Sequence, residues 1–289
     1  MSGTFMVACI QPSSRRDVAE NLATIGPLIA RARADGADLI CLPEVVGMIE
    51  PNRKLRFEKA EPEETDRGLA GFREIAAKSG AWLLVGSLAI KLAPDRLANR
   101  SYLLDSTGAI RAVYDKIHMF DVDLAGGESH RESNSFRPGD RAVLADTPWG
   151  PLGMTVCYDL RFPNLYRTLA QSGAMYLAIP SAFTRPTGRA HWHVLVRARA
   201  IETGCFVFAP AQCGEHAEGR KTYGHSLIVA PWGEVLADGG DEVGIVMAEI
   251  DPAKVWEARR MVASLGHDRA FAAPTPIGAA RPPHRAAGE

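Results

Sequence analysis

The sequence predicts an α/β fold of four layers, an α-β-β-α sandwich in which two mixed sheets pack face to face beneath covering helices. Three observations lead there. Short apolar or β-branched runs alternate with stretches of helical period along the chain. The runs amount to about a dozen strands, more than one twisted open sheet usually holds. Turn signals such as Ser106-Thr107-Gly108 join neighbouring runs as hairpins, so antiparallel pairs enter the sheets.

In chain order, residues 5–10 read as the first strand and 18–33 as a helix. Residues 38–42 form the next strand and lead into Pro43 and Glu44. A second helix spans 66–78, followed by strands at 82–90, 100–104 and, past the turn, 110–114. Between Lys116 and Ala142 the chain is polar and glycine-rich, a loop long enough to expect a functional role. Strands follow at 142–146, 152–156, 175–179, 205–209, 226–229 and 244–250, with helices at 164–171 and 191–202. That last helix spaces Val194, Leu195, Ala198 and Ile201 helically with Arg197 and Arg199 between them, the pattern of a helix packed on a sheet. Residues 1–265 are expected to form one domain and 266–289 an extended arm or tail, since four prolines and no periodicity mark the chain from Ala272 on.

Composition narrows the function classes. Of 289 residues, 46% are apolar and 23% charged, enough to bury a large core. Lys and Arg number 33 against 34 for Asp and Glu, so no net field draws the chain to nucleic acid or an anionic membrane. A small molecule is the expected partner. The start lacks a basic export region, and no stretch approaches the roughly 18 apolar residues of a membrane span, which predicts a cytoplasmic protein. Five cysteines, an odd number, read as free thiols in a reducing compartment.

Cys9, Cys41, Cys205 and Cys213 sit in or beside apolar strands and read as small core side chains. Cys157 differs. It ends an apolar run and is followed at once by Tyr158-Asp159-Leu160-Arg161-Phe162-Pro163, a polar turn into a helix. A thiol lifted out of a sheet toward helix-start amides and cations can be activated, although position alone leaves it open between a catalytic and a structural role. Glu44 and Lys116 share its topology, each just past the end of an apolar strand, where side chains of α/β proteins face a crevice.

Three motifs carry a family resemblance: Leu42-Pro43-Glu44, then Tyr114-Asp115-Lys116-Ile117-His118-Met119-Phe120-Asp121, then Val156-Cys157-Tyr158-Asp159-Leu160-Arg161-Phe162-Pro163. In order and spacing they resemble the nitrilase, or carbon-nitrogen hydrolase, superfamily, over about residues 5 to 255. Arg131-Glu132-Ser133 resembles its second glutamate motif. The resemblance implies the same α-β-β-α sandwich, a homodimer or higher homo-oligomer formed through a helical face, and no metal or organic cofactor. It implies that Cys157 attacks an amide, Glu44 moves the protons, and Lys116 with the backbone amide of Tyr158 holds the oxyanion, while Glu132 positions Lys116. Such chemistry needs a nucleophile, oxyanion donors and an acid for the poor nitrogen leaving group.

The stretch 187–195 with Tyr223-Gly224-His225-Ser226 and Pro231-Trp232-Gly233-Glu234 resembles the Nit branch of that superfamily. Ser133-Asn134-Ser135, Pro180-Ser181-Ala182-Phe183 and Ala211-Gln212-Cys213-Gly214 look more like its deaminated-glutathione amidases than its ω-amidases. A substrate of that kind carries carboxylates, and Arg185, Arg189 and Arg220, placed by the sequence in loops, are candidates to bind them. A nitrile, a carbamoyl amino acid or another ω-amide would use the same reacting groups. An inactive dimeric scaffold is the reading from a different class, and the intact Glu44, Lys116, Glu132 and Cys157 set argues against it. His191-Trp192-His193 and Cys213 with His216 lack complete metal-ligand spacing, so no metal is expected.

Overall fold

Period-two burial builds the first layers. In the strand Phe5–Gln11, Phe5, Val7 and Cys9 enter one apolar core while Ala8 and Ile10 enter another. The strand is therefore covered on both faces, as a central parallel strand must be. A computed structural model of the chain describes residues 3–124 and 129–274.

Two six-stranded sheets result. The first runs in the order Gly244–Ile250, Phe5–Gln11, Leu39–Cys41, Trp82–Ala93, Arg96–Leu104, Ile110–Asp115. The second runs Val235–Asp238, Leu227–Val229, Phe206–Ala209, Tyr176–Ala178, Leu152–Met154, Val143–Ala145. In each, three central strands are parallel and the flanking pairs antiparallel, so both sheets are mixed. Helices α1 (Val18–Ala34) and α3 (Arg67–Ser79) cover the first sheet through Ile25, Ile29, Leu69 and Phe72. The short α2 (Arg53–Lys59) precedes α3. Helices α4 (Pro163–Gln171) and α5 (Arg185–Thr203) cover the second sheet through Leu165, Tyr166, Trp192 and Val196, and α6 is Ala253–Met261. Between the sheets, Val7, Cys9 and Leu103 meet Met154, Tyr176 and Phe208 in one core, and Phe5 packs edge-on against Tyr176. The layers are α-β-β-α.

Several elements differ from expectation. Helix α5 starts at Arg185 instead of 191, because Pro186 falls in its first turn, where a missing N–H and fixed φ cost nothing. Arg185 and Arg189 therefore stand on a helix and not in a loop. Of the stripe expected to pack, Leu195 does reach the core and Ala198 is half-buried, but its two ends face out. Trp192, Val196, Arg199 and Ala200 are buried, whereas Val194 is 68% exposed and Ile201 54%. Within the polar segment 116–142, the described residues form a small hairpin, Asp121–Asp123 with Ser129–Arg131. Another pairs Cys213–Glu215 with Lys221–Tyr223. Of the expected arm 266–289, residues 267–274 carry no regular element, and Asp268 accepts hydrogen bonds from Arg167 and Gln171 on α4. Residues 275–289 lie outside the described residues.

Candidate active site

The parallel strand Leu39–Cys41 ends at Leu42-Pro43, and the chain turns sharply there. Val45 has a left-handed φ of 48° and its amide donates to Ser87 Oγ at 2.9 Å. Strand Trp82–Ala93 passes so close that a Cβ on Gly86 would stand 2.0 Å from Leu42 O and 2.4 Å from Pro43 O. This turn fixes Glu44. In the second sheet, Leu152–Met154 leads to Cys157, which opens a 3₁₀ turn, Cys157–Arg161, with φ 49°. A left-handed φ in a residue with a Cβ costs on the order of 1–3 kcal/mol, and the surroundings must enforce it. Cys157 N donates to Pro180 O at 2.9 Å. The fully buried Asp159 carboxylate accepts from Val156 N at 2.8 Å, Tyr114 Oη at 2.7 Å and His118 N at 3.0 Å. It thereby ties the cysteine turn to the segment that carries Lys116. Arg199 donates twice to Leu160 O, at 3.0 and 2.8 Å, and closes the turn from α5.

The four groups expected to act together converge. Lys116 Nζ donates to Glu44 Oε1 at 2.9 Å and Glu132 Oε2 at 2.7 Å, and its side chain is 2% exposed. Glu44 Oε2 accepts from Ala182 N at 3.0 Å, and the Cys157 thiol stands close enough to the Glu44 carboxylate for each to shift the other's titration. Glu132 Oε2 also accepts from Phe120 N at 2.7 Å. Asn99 was not anticipated. Its Nδ2 donates to Glu44 Oε1 and to Glu132 Oε1, each at 3.0 Å, and so bridges the two carboxylates. Asn99 stands among polar neighbours in Asp95-Arg96-Leu97-Ala98-Asn99-Arg100-Ser101, where no local pattern marks it out.

Electrostatics follow from that geometry. Burial by itself would raise the Glu44 carboxyl, but the Lys116 charge and hydrogen bonds from Cys157 and Lys116 hold it below the usual carboxylate value. Burial would discharge Lys116, yet the charges of Glu132 and Glu44 outweigh it and hold the ammonium well above its ordinary value. Burial, then the Glu44 charge, pushes the Cys157 thiol well up against the opposing pull of Lys116. The resting site thus holds a neutral thiol against an ionised carboxylate.

One cavity exposes these groups. Glu44, Lys116, Glu132, Cys157, Tyr158 and Asn99 line it, together with Arg56, Arg131 and Arg220. Among the expected substrate cations only Arg220 is there. Arg185 bonds Thr222 O, and neither it nor Arg189 lines the cavity. Arg56, on α2, was missed because that helix buries no residue fully and shows no apolar period.

Comparison with known proteins matches the carbon-nitrogen hydrolase model over residues 6–260. The chain belongs to the carbon-nitrogen hydrolase family. It is 39% identical over 266 residues to the deaminated glutathione amidase of Yersinia enterocolitica, covering 91% of this chain and 92% of that one. The crystal structure of the Caenorhabditis elegans NitFhit protein superposes with a TM-score of 0.87 at 38% identity, over 93% of this chain and 66% of that longer one. Nit3 of Saccharomyces cerevisiae, a member of branch 10 of the nitrilase superfamily, gives 0.81 at 28% identity, over 91% and 95%. In this carbon-nitrogen hydrolase the described residues thus combine the family's sandwich with one cavity at the strand ends.

Proposed function

We propose that the chain is an amidase that cleaves a small, anionic linear amide of the deaminated-glutathione type through a thioester on Cys157. One observation carries this: a thiol rests beside an ionised, buried carboxylate that shares an ammonium with a second carboxylate. As sulfur attacks, Glu44 takes its proton. Lys116 and the amide of Tyr158 then face the carbonyl oxygen as it becomes negative, and each such donor is worth about two to three orders of magnitude. Glu44 returns the proton to the departing nitrogen and next activates the water that releases the acid, work worth about 10² to 10⁴. Glu132 holds Lys116 in place.

The cavity's cations support an anionic substrate. Arg220 Nε is buried without a partner among the described residues, and its Nη2 donates to Ala182 O at 3.3 Å. Arg56 is pushed below its usual value, first by burial and then by the charge of Arg220. Two cations facing one cavity are relieved by a carboxylate placed between them. Similarity to a deaminated glutathione amidase points the same way. Incubating the protein with deaminated glutathione, ω-amides, nitriles and carbamoyl amino acids, with Cys157→Ala alongside, tests the reading. Amine release from deaminated glutathione that vanishes in the variant supports it. No turnover of any compound would leave a binding scaffold.

Exposed Val194, Ile201, Trp232, Trp256, Met261 and Val262 form an apolar face around α5 and α6, through which we propose the chain pairs with a copy of itself. Five free, buried thiols favour the reducing cytoplasm. The proposed domain ends at residue 265, within the short 3₁₀ turn Ser264–Gly266 that precedes the segment docked on α4.

A further inference from the structure

Outside the cavity, three side chains from separate elements meet on the flank of α5. We propose that His193, His225 and Asp238 form a binding site for a divalent transition-metal ion, with zinc the best chemical match.

The ligand atoms all lie within 4.8 Å of one another. His193 Nε2 is 3.0 Å from Asp238 Oδ2, and His225 Nδ1 is 2.8 Å from Asp238 Oδ1. Tetrahedral zinc bonds of about 2.0–2.1 Å set neighbouring ligand atoms roughly 3.3 Å apart, so an ion enters by drawing together ligand atoms that now lie within 4.8 Å of one another, a side-chain adjustment of up to about 1.5 Å. Two imidazoles and a carboxylate are a borderline-soft donor set that suits zinc and not calcium or magnesium.

A hydrogen-bonded His–Asp–His trio shares these distances, and the surroundings favour the ion. His225 Nε2, the nitrogen facing away from Asp238, is 3.5 Å from Asp241 Oδ1, an ion-pair distance from which a small shift makes the carboxylate–imidazole hydrogen bond that orients metal-bound histidines. Asp238 Oδ1 also accepts from Gly240 N at 2.9 Å, which fixes the carboxylate. The His225 ring stacks on Tyr223 at 4.5 Å, and its carbonyl accepts from Trp192 Nε1 at 2.7 Å, which holds the left-handed backbone there (φ 54°). The three side chains are 34%, 22% and 36% exposed, open to an arriving ion and to water as a further ligand. None lines the cavity that holds Cys157. The sequence hid the site because its ligands come from α5, the turn before Leu227–Val229, and the strand Val235–Asp238.

Calorimetric titration with zinc chloride tests it, on the wild-type chain and on Cys157→Ala, which removes a competing thiol. One equivalent should bind to both, with micromolar affinity or tighter, and raise Tm. His193→Ala, on a partly exposed helix face, should abolish that uptake while leaving metal-free amide turnover unchanged. Asp241→Asn should weaken binding about tenfold, an effect that a mere hydrogen-bonded trio does not produce. Cobalt(II) in place of zinc should give the visible absorption of a four- or five-coordinate ion, absent in His193→Ala. Absence of uptake by the wild type, uptake unchanged in His193→Ala, or uptake lost only with Cys157 would each overturn the proposal.

Discussion

Replacing Asn99 by Leu keeps nearly the same volume and removes both hydrogen bonds that span Glu44 and Glu132. Each bond ends on a charged acceptor, and such bonds contribute about 1.5–3 kcal/mol. Asn99 Oδ1 is buried without a partner among the described residues, so Leu also removes a desolvation cost of about 1–3 kcal/mol. The expected net loss of stability is therefore between about 0 and 5 kcal/mol, with a middle value of about 2.5 kcal/mol. Activity should fall by more than folding explains. With the bridge gone, Lys116 alone separates two carboxylates, and they no longer share a fixed geometry around it. Losing one charged hydrogen bond's worth of transition-state energy lowers kcat/KM about ten- to hundredfold. Direction in pH is also fixed. A donor to the charged form of Glu44 holds its carboxyl down, so removing it shifts the acid limb of the pH–rate profile to higher pH. The assay is amine release at several pH values from protein shown folded by its Tm. A variant within twofold of wild type at every pH, with only its Tm lowered, would refute the reasoning and make Asn99 purely structural.

Gly86→Ala places a Cβ against two backbone carbonyls that cannot yield, so stability should drop by about 3 kcal/mol or more. Because those carbonyls precede Glu44, kcat should fall as well, up to about a hundredfold for an ångström of displacement, measured on whatever fraction folds. Burial chiefly, with the charges of Arg220 and Arg15, lowers His216 from 6.5 to about 4, against a hydrogen bond to Ser14 O. The unfolded chain then binds more protons between those values, so stability is lost as pH falls from about 6.5 to about 4. That loss is about 3 kcal/mol at most, and a Tm–pH series flattened in His216→Gln checks it. Arg220→Ala and Arg56→Ala should each raise KM about tenfold or more for an anionic amide and leave a neutral amide within twofold. Equal effects on both substrates would remove the arginines from substrate binding.

Much of this was legible in the chain. Glu44, Lys116 and Cys157 each follow an apolar run that a polar or strained turn cuts short, and that signal survives without any knowledge of contacts. What stayed hidden depended on partners distant in sequence. Arg199 looked solvated, yet it is buried because Leu160 O and the Tyr166 ring receive its guanidinium. With Arg199 and Trp192 turned inward, Val194 and Ile201 had to face out, while Leu195 still packs on the core as period predicted. Arg56 was hidden because Leu55 and Phe57 beside it are only half-buried, so α2 left no periodic trace. Asn99, just outside the expected strand 100–104, reads as an ordinary polar residue until two carboxylates stand over it.

Charge conservation within the buried site gives the four groups their logic. At rest Glu44 and Glu132 are negative, Lys116 positive and the thiol neutral, a net charge of −1 on the cavity floor. A resting thiolate would make it −2 in a place where burial already opposes charge, which is why the thiol sits high. In the proposed attack the sulfur's proton moves to Glu44 as the sulfur–carbon bond forms, and the carbonyl oxygen takes up the negative charge. Glu132 and the oxyanion are then negative and Lys116 positive, again −1. The reaction shifts charge toward Lys116 without creating any, so a water-poor cavity meets no new desolvation cost at the transition state and each fixed donor acts at full strength. Glu132 is essential to that balance: it keeps Lys116 charged after Glu44 has been neutralised, at the moment the oxyanion needs the ammonium.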